Sequence, residues 1–246
     1  MIYDFHVHFG TTSQGKKFTV DDLISAMDYF GIEKAGLSVL AGVDMREQND
    51  TVAEAVAKYP DRIVGYGYIN PRDPKAVEEV HRCLKDLNMK GIKFHSWKHG
   101  YYPDNCPQLD EVIKAIEPYK VPILTHTGTA TLSLPQQWAT VAEKHPDVTF
   151  VFAHIGYYDF GYGCIECAKR LPNIYVETSG QHELPVLEKA LQDLGPERII
   201  FGSDWPYKYI GSEMEKFKAL TLTDEMRKAI FYQNAKKLWR LGDELV

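Results

Sequence analysis

Two histidines near the start of the chain have a spacing that suits metal binding. His6 and His8 lie in the segment MIYDFHVHFG, whose other residues are largely β-formers. In an extended strand, residues two apart point to the same side. Neutral imidazole nitrogens are good ligands for Zn²⁺ and other transition metals. This strand therefore supplies half of a candidate metal site, although two histidines in one strand also arise by chance.

Further polar side chains follow apolar segments later in the chain. These segments read as short buried strands, and the residues at their ends are Lys93 and His95 in GIKFHS, His126 in ILTHTG, His154 in FAHIG, Glu177, Thr178 and Ser179 in YVETS, and Asp204 in FGSDWP. One such histidine would be explained as a hydrogen-bonded core residue. Histidine or aspartate at the ends of several strands predicts a metal site where those ends meet.

The alternation of strands and helices predicts how these residues are brought together. Apolar runs such as 63–69 and 148–154 alternate with amphipathic segments such as 20–30 and 184–194. Repeated βα units favour a parallel sheet covered by helices, either doubly wound or closed. Eight strands in 246 residues favour closure, so we expect an α/β fold, a (β/α)₈ TIM barrel, as a single domain over residues 1–246. The active site of such a barrel lies at the C-terminal ends of its strands.

Local signals predict further boundaries. We expect a strand over 35–40, a second helix capped by Asn49 or Asp50, and a terminal helix over 223–241. Cys164 and Cys167 form a CxxC pair, but they fall in a predicted helix where residues three apart share a face. We therefore interpret them as ordinary thiols.

Composition narrows the class of protein. The formal net charge is −6, whereas a nucleic-acid binder normally has a basic balance. The chain has no apolar run long enough to span a membrane. The candidate metal strand begins at Ile2 and leaves no room for a signal peptide, so we expect a cytoplasmic protein with reduced cysteines that acts on a small molecule.

The ordered set of motifs resembles a known family. His6-Val7-His8, His126, His154 and Gly202-Ser203-Asp204 are similar to the amidohydrolase superfamily, and most of all to its amidohydrolase-related branch, which includes aminocarboxymuconate-semialdehyde decarboxylase. The resemblance implies one divalent metal ion, with Zn²⁺ as the default and Mn²⁺ as the alternative. It implies that the ligands are His6, His8, His126 and Asp204. His154 would lie beside the metal in a polarising or proton-transfer role.

The resemblance also implies an activity. We expect a metal-dependent hydrolase that cleaves an ester, lactone or amide bond with a metal-activated water, whose proton Asp204 accepts. The alternative is a metal-dependent, non-oxidative decarboxylase, a lyase acting on an aromatic or unsaturated carboxylic acid. The short chain and the FGSDWP ending favour the hydrolase.

Three more residues are candidates for substrate contact. Lys93, His95 and Trp205 all lie at or just after strand ends. A structural ion pair is the alternative role for Lys93. Aromatic residues are frequent in the same loops, where they would bind an unsaturated or ring-shaped substrate or bury an interface between subunits. A homodimer is the expected assembly by base rate.

Overall fold

The strands form one sheet in sequence order, except that the short second strand lies at the edge beside the first. The computed structural model of the protein describes residues 1–12, 14–39 and 44–242. Its strands are β1 Tyr3–Thr11, β2 Lys17–Phe18, β3 Lys34–Val39, β4 Ile63–Tyr68, β5 Gly91–Phe94, β6 Ile123–Thr125, β7 Phe150–Phe152, β8 Ile174–Glu177 and β9 Ile199–Ile200. All except β2 run parallel to their neighbours. The short β2, which was not predicted, pairs antiparallel with the end of β1.

Backbone hydrogen bonds join the two ends of the sheet. The amide of His8 donates to the carbonyl of Trp205 at 2.7 Å, and the amide of Asp204 donates to the carbonyl of His6 at 2.7 Å. Val7 forms an isolated parallel bridge with Trp205. These contacts close the sheet, and the result fits the predicted α/β barrel.

Helices cover the outside of the barrel. They are α1 Val20–Phe30, α2 Met45–Lys58, α3 Ala76–His81, α4 Ser96–His99, α5 Pro107–Ile116, α6 Pro135–Lys144, α7 Gly161–Arg170, α8 Leu184–Leu194, α9 Ile210–Glu215, α10 Asp224–Lys228 and α11 Asn234–Leu238. Within the described ranges, no helix is both long enough and apolar enough to cross a membrane. Cys164 and Cys167 are free, buried thiols on α7.

Aromatic residues seal the N-terminal end of the barrel. The ring of Trp239, which follows α11, stacks on Phe5 with ring centres 5.1 Å apart. Its indole nitrogen donates to the hydroxyl of Tyr66 at 2.7 Å, and that hydroxyl donates to the carbonyl of Phe5 at 3.0 Å. Packed rings therefore fill the N-terminal end of the barrel. The polar residues follow the C-terminal ends of the strands, at the other end of the barrel.

Several predicted boundaries were wrong. The second helix begins at Met45, and Asp44 caps it by accepting from the amides of Arg46 and Glu47. Asn49 is instead buried, where its side chain accepts from the amide of Tyr68 at 2.7 Å. The first turn of this helix, residues 45–48, is mostly polar, so it gives little apolar periodicity to mark the true start. The predicted end of the 35–40 strand, Leu40, lies outside the described residues.

The terminal segment is also less regular than predicted. Instead of one helix over 223–241, α10 and α11 are separated by a π-helical turn, Ala229–Gln233. The buried Ile230 in this turn accepts the backbone hydrogen bond of Phe201 at 3.0 Å. The π-helical turn therefore hydrogen-bonds to the barrel at Phe201, just after β9.

Candidate metal centre

A bulge in β1 aims the first two site histidines. The pairing of β1 with β3 changes register between Asp4 and Val7. A bulge of this kind bends a strand and re-aims its side chains. Phe5 packs on the aromatic floor, yet the next residue, His6, also contacts side chains inside the barrel. His6 and His8 are 1% and 5% exposed. As predicted, the two histidines share a face.

The side chain of Asp4 accepts hydrogen bonds from backbone amides near the bulge. Its Oδ1 accepts from the amide of Ser203 at 2.9 Å and from the amide of His6 at 3.2 Å. Asp4 is fully buried, and burial raises its pKa to about 7 against the opposing effect of these hydrogen bonds. The sequence analysis missed this residue, although an aspartate inside an apolar strand was a usable signal.

Each histidine of β1 has one ring nitrogen held by a buried partner. Nδ1 of His6 lies 2.9 Å from Oε2 of Glu177, and Nδ1 of His8 lies 3.0 Å from Oγ of Ser38. The other ring nitrogens both point toward Asp204. Nε2 of His8 is 3.2 Å from Oδ1 of Asp204, and Nε2 of His6 is 3.8 Å from the same oxygen. Such outer partners fix the orientation of metal-ligating imidazoles.

His126 and His154 repeat this arrangement just after β6 and β7. Nε2 of His126 lies 3.0 Å from Oγ1 of Thr129, and Nδ1 of His154 lies 2.9 Å from Oγ of Ser179. Their remaining nitrogens, Nδ1 of His126 and Nε2 of His154, are 3.2 Å apart. The backbone of His154 has φ 68°, in the left-handed region, so its side chain leaves the strand direction.

Asp204 supplies a carboxylate beside the β1 histidines, because the segment after β9 is hydrogen-bonded to β1. It follows β9 with φ 57°, a conformation that aspartate tolerates better than most residues. The hydroxyl of Tyr157 donates to its Oδ2 at 3.4 Å. Ligand atoms of His6, His154 and Asp204 all lie within 4.8 Å of one another. With His8 and His126 adjoining them, these donors are of the types that suit one divalent transition metal.

Burial keeps the imidazoles in the form that binds metal. It is the main cause that lowers the pKa of His6, His126 and His154 well below the usual range, and it also lowers the pKa of His8. A metal ligand must be a neutral imidazole. The desolvated interior therefore makes these side chains ready ligands at neutral pH.

Lys93 and His95 lie in the same cluster, and Trp205 does not. Nζ of Lys93 donates to Nε2 of His6 at 2.8 Å, and burial lowers the pKa of Lys93 to about 7. The ring of His95 stacks on His126 with centres 4.2 Å apart. The Trp205 ring instead packs edge-on against Phe18 of β2, 5.3 Å away.

Aromatic rings surround the mouth. Tyr157 stacks on His154 with ring centres 4.1 Å apart. Tyr207 lies edge-on to His8 at 5.8 Å, and it is 43% exposed. The buried ring of Tyr157 and the exposed ring of Tyr207 offer flat apolar walls beside the polar cluster, which suits an unsaturated ligand.

The sequence analysis named Ser179 only as a polar residue at a strand end, and it missed Ser38 and Thr129 as partners of the histidines. Ser38, Thr129 and Ser179 each contact a site histidine, but each lies on a different strand or loop. For Ser38 and Ser179 the contacts join distant parts of the chain. Ser38 was detectable as a polar residue between Leu37 and Val39 in a buried strand.

Comparison with known proteins identifies the family. A family model described as amidohydrolase matches residues 3–241. A gamma-resorcylate decarboxylase of Rhizobium sp. (strain MTP-10005) is 25% identical, over 90% of this chain and 87% of the relative. A 2-amino-3-carboxymuconate-6-semialdehyde decarboxylase of Dictyostelium discoideum is 23% identical, over 65% of this chain and 55% of the relative.

Solved structures share the fold. A 5-carboxyvanillate decarboxylase from Novosphingobium aromaticivorans, with bound manganese, has a TM-score of 0.79 at 20% identity and covers 98% of this chain and 97% of its own. A dihydroxybenzoic acid decarboxylase from Polaromonas sp. JS666, with bound manganese and 2-nitroresorcinol, has a TM-score of 0.77 at 21% identity, over 99% of this chain and 98% of its own.

These comparisons correct the expected activity. The sequence analysis favoured a hydrolase because of chain length and the FGSDWP ending, but the relatives are named as decarboxylases. Chain length does not report which bond is broken, and one metal-binding barrel supports both reactions. The expectation of a hydrolase was therefore wrong, and the alternative is the better supported. Since the family model spans residues 3–241, the chain belongs to the amidohydrolase family.

Proposed function

We propose that this protein is a metal-dependent, non-oxidative decarboxylase of an aromatic or unsaturated carboxylic acid. The observation that carries the proposal is the convergence of four buried histidines and Asp204 at one mouth, in a chain whose relatives are decarboxylases. The substrate is a small molecule, because the site lies inside the barrel mouth between aromatic walls.

The proposed ligands of one divalent ion are His6, His8, His126 and Asp204. When bound, the ion supplies positive charge that orients the substrate carboxylate and stabilises negative charge. Two of the structural neighbours contain bound manganese, so we propose Mn²⁺ and Zn²⁺ as the first two ions to test. The mixed nitrogen and oxygen ligand set is compatible with both.

His154 and Asp204 are the proposed proton carriers. Decarboxylation forms a C–H bond at the carbon that bears the carboxylate, breaks the bond to that carboxylate and releases carbon dioxide. The electron pair of the broken bond returns to the unsaturated carbon skeleton. Nε2 of His154 faces the cluster, and ligand atoms of His154 and Asp204 lie within 4.8 Å of each other, so either group, once protonated, can donate the proton of the new C–H bond to a substrate beside them.

Lys93 and His95 are the proposed substrate contacts. Lys93 is 1% exposed and places Nζ against His6, where a cationic form attracts an anionic substrate. The stacked pair of His95 and His126 presents flat rings beside the site. Trp205 was also predicted to bind substrate, but its ring packs on Phe18, so we assign it no contact.

The test is carbon dioxide release by the metal-loaded protein. We would incubate the Mn²⁺ and Zn²⁺ forms with 2,6-dihydroxybenzoate and 5-carboxyvanillate, and measure carbon dioxide and the decarboxylated product. His154→Ala should lower kcat by about 10²-fold or more. His81→Ala is the matched control, because His81 is an exposed histidine that binds Tyr119 on the outer surface. Turnover of esters or lactones without carbon dioxide release would contradict the proposal.

The number of domains and the oligomeric state are also proposals. We propose that residues 1–246 form one domain, which agrees with a family match over 3–241. A homodimer stays a prediction. Light scattering on the purified protein would measure its mass against the 28.1 kDa of one chain.

A further inference from the structure

Two opposite charges are buried outside the metal cluster. Glu213 of α9 is fully buried, and the side chain of Lys216, one residue beyond α9, is 4% exposed. Nζ of Lys216 lies 2.6 Å from Oε2 of Glu213. Burying a charge pair is costly, and apolar residues of similar size often stabilise a protein as well or better. This pair therefore calls for a role beyond stability.

The pair holds the loop that follows β8. Oε2 of Glu213 accepts from the amide of Gly180 at 3.0 Å, and Nζ of Lys216 donates to the carbonyl of Thr178 at 2.5 Å. Oε1 of Glu213 lies 3.1 Å from Nε2 of His182. The two charged side chains thus contact the loop at residues 178, 180 and 182.

This loop contains the residue that orients His154. Oγ of Ser179, between Thr178 and Gly180, lies 2.9 Å from Nδ1 of His154, and the Ser179 carbonyl lies 3.1 Å from the same nitrogen. The Ser179 hydroxyl donates its single hydrogen to Oε2 of Glu177 at 2.8 Å. A hydroxyl oxygen that has given its hydrogen away, and a carbonyl, can only accept. The proton of neutral His154 therefore lies on Nδ1, which leaves a lone pair on the inward Nε2.

We infer that Glu213 and Lys216 are positioning residues for His154, acting through Ser179. They hold the loop so that Ser179 accepts from Nδ1 and keeps Nε2 of His154 available at the metal mouth. The inference rests on the proposed function for its kinetic consequence, because a proton carrier must present the correct nitrogen.

The first test removes both charges. In the double variant Glu213→Leu/Lys216→Met, the charges are replaced by apolar side chains of similar volume, so we expect the free energy of unfolding to change little. We expect kcat for carbon dioxide release to fall about 10- to 100-fold with KM nearly unchanged, because the nitrogen at the mouth is misplaced. Metal content should stay at the wild-type value. An unchanged kcat in a folded, metal-loaded double variant would overturn the inference.

A second variant and a matched control separate positioning from stability. Glu213→Gln keeps the shape and removes the charge, and Glu79→Gln does the same at another buried ion pair, with Arg82. Glu79 lies on α3, and its side chain contacts Asn49 and Arg82, neither of which belongs to the metal cluster. We expect Glu213→Gln to lower kcat and Glu79→Gln to lower stability alone. Equal losses of kcat in both variants would assign the effect to stability and overturn the inference.

A spectroscopic measurement remains valid if decarboxylation is not observed. The ring nitrogens of His154 in the Zn²⁺-loaded protein can be followed by NMR and assigned by comparison with His154→Gln. In the wild type we expect one neutral form with the proton on Nδ1. Glu213→Gln should produce a mixture of forms that Glu79→Gln does not. The same single form in both variants would overturn the inference whatever the substrate, whereas absent carbon dioxide release with the expected spectra would count only against the proposed function.

Discussion

At the scale of single residues, the site depends on backbone conformations that few side chains tolerate. His154 and Asp204 both have positive φ angles, 68° and 57°. Positive φ costs about 1–3 kcal/mol for a residue other than glycine, and such residues cluster at functional sites. The conformation brings each side chain out of the strand direction toward the mouth.

The variant Asp204→Asn tests the role of the carboxylate charge at residue 204 while keeping a side chain that tolerates its positive φ angle. Asparagine tolerates the left-handed region as well as aspartate does, so the melting temperature of the metal-free variant should stay near that of the wild type. Loss of the carboxylate should lower metal content and reduce carbon dioxide release about 10²-fold or more. Elemental analysis, calorimetry and steady-state kinetics would measure these changes.

The control for Asp204→Asn is Asn88→Asp, a similar exchange at another positive φ angle of 51°. Asn88 contacts Lys90 on an exposed turn. We expect this variant to keep both metal and activity. If Asp204→Asn retained full metal content and full turnover, its assignment as ligand and proton carrier would be wrong.

Features of the site that depend on neighbouring residues in the sequence were predictable, and features that depend on contacts between distant residues were not. The shared face of His6 and His8 follows from the alternation of a strand, and the positions of His126 and His154 follow from short apolar runs. Ser179 was placed at a strand end from the sequence, but the contacts of Ser38 and Ser179 with the histidines were not predictable, because they join residues 30 and 25 positions apart in the chain. The bulge in β1 was also hidden, since it depends on pairing with β3.

At the scale of elements, the loops after β6 and β7 are packed against each other. Gly128 has φ +82°, and a Cβ built on it would lie 1.9 Å from the carbonyl oxygen of Gly156. Each glycine is two residues beyond a site histidine, His126 or His154. This close approach of two backbones sets the distance between the two imidazoles.

Gly128→Ala should therefore lower both stability and activity. The added methyl group must displace backbone, and alanine is strained at this φ, so we expect a loss of about 2–5 kcal/mol in the free energy of unfolding. The displaced histidines should reduce kcat for carbon dioxide release. Urea unfolding and kinetics under conditions where the variant is folded would measure both.

Gly31→Ala provides the comparison for that variant. Gly31 ends α1 with φ +69°, and a Cβ there would meet nothing within 4 Å. Alanine at this position should lower stability by about 1–2 kcal/mol through the backbone alone and leave kcat unchanged. If Gly128→Ala behaved like Gly31→Ala, the packed loops would not determine the site geometry.

At the scale of the whole molecule, metal binding and folding are coupled. The proposed ligands come from β1, from the loop after β6 and from the segment after β9, so an unfolded chain has no equivalent site. An ion at 100 times its Kd stabilises the folded form by about 2.7 kcal/mol. We expect Mn²⁺ or Zn²⁺ to raise the melting temperature by several degrees, a chelator to reverse the change, and His126→Ala to abolish it. An unchanged melting temperature for wild type, with no metal retained after dialysis, would contradict the site.

The metal-free protein should lose stability as pH falls from 7 to 5. Burial lowers the pKa of His6, His126 and His154, so the folded imidazoles stay neutral while the unfolded ones take up protons near pH 6.5. The unfolded state then binds more protons, and each histidine removes up to about 1.4 kcal/mol per pH unit. Urea unfolding of chelator-treated protein at pH 7, 6 and 5 would measure the slope. Asp4, whose pKa burial raises to about 7, binds a proton in the folded state over the same range and offsets part of the loss. Stability that rose as pH fell would contradict the expected excess from the three histidines.

The closure of the barrel sets an order of events for a growing chain. Asp4 and Ser203, which hydrogen-bond across the closure, are 199 residues apart in sequence. During synthesis, His6 and His8 leave the ribosome long before Asp204 exists, so an ion captured early would be held by two imidazoles alone. The complete ligand set forms only after the last strand has met the first. Tight retention of metal is therefore expected only of chains that have been synthesised beyond Asp204. A chain terminated before that residue would have only part of the proposed ligand set.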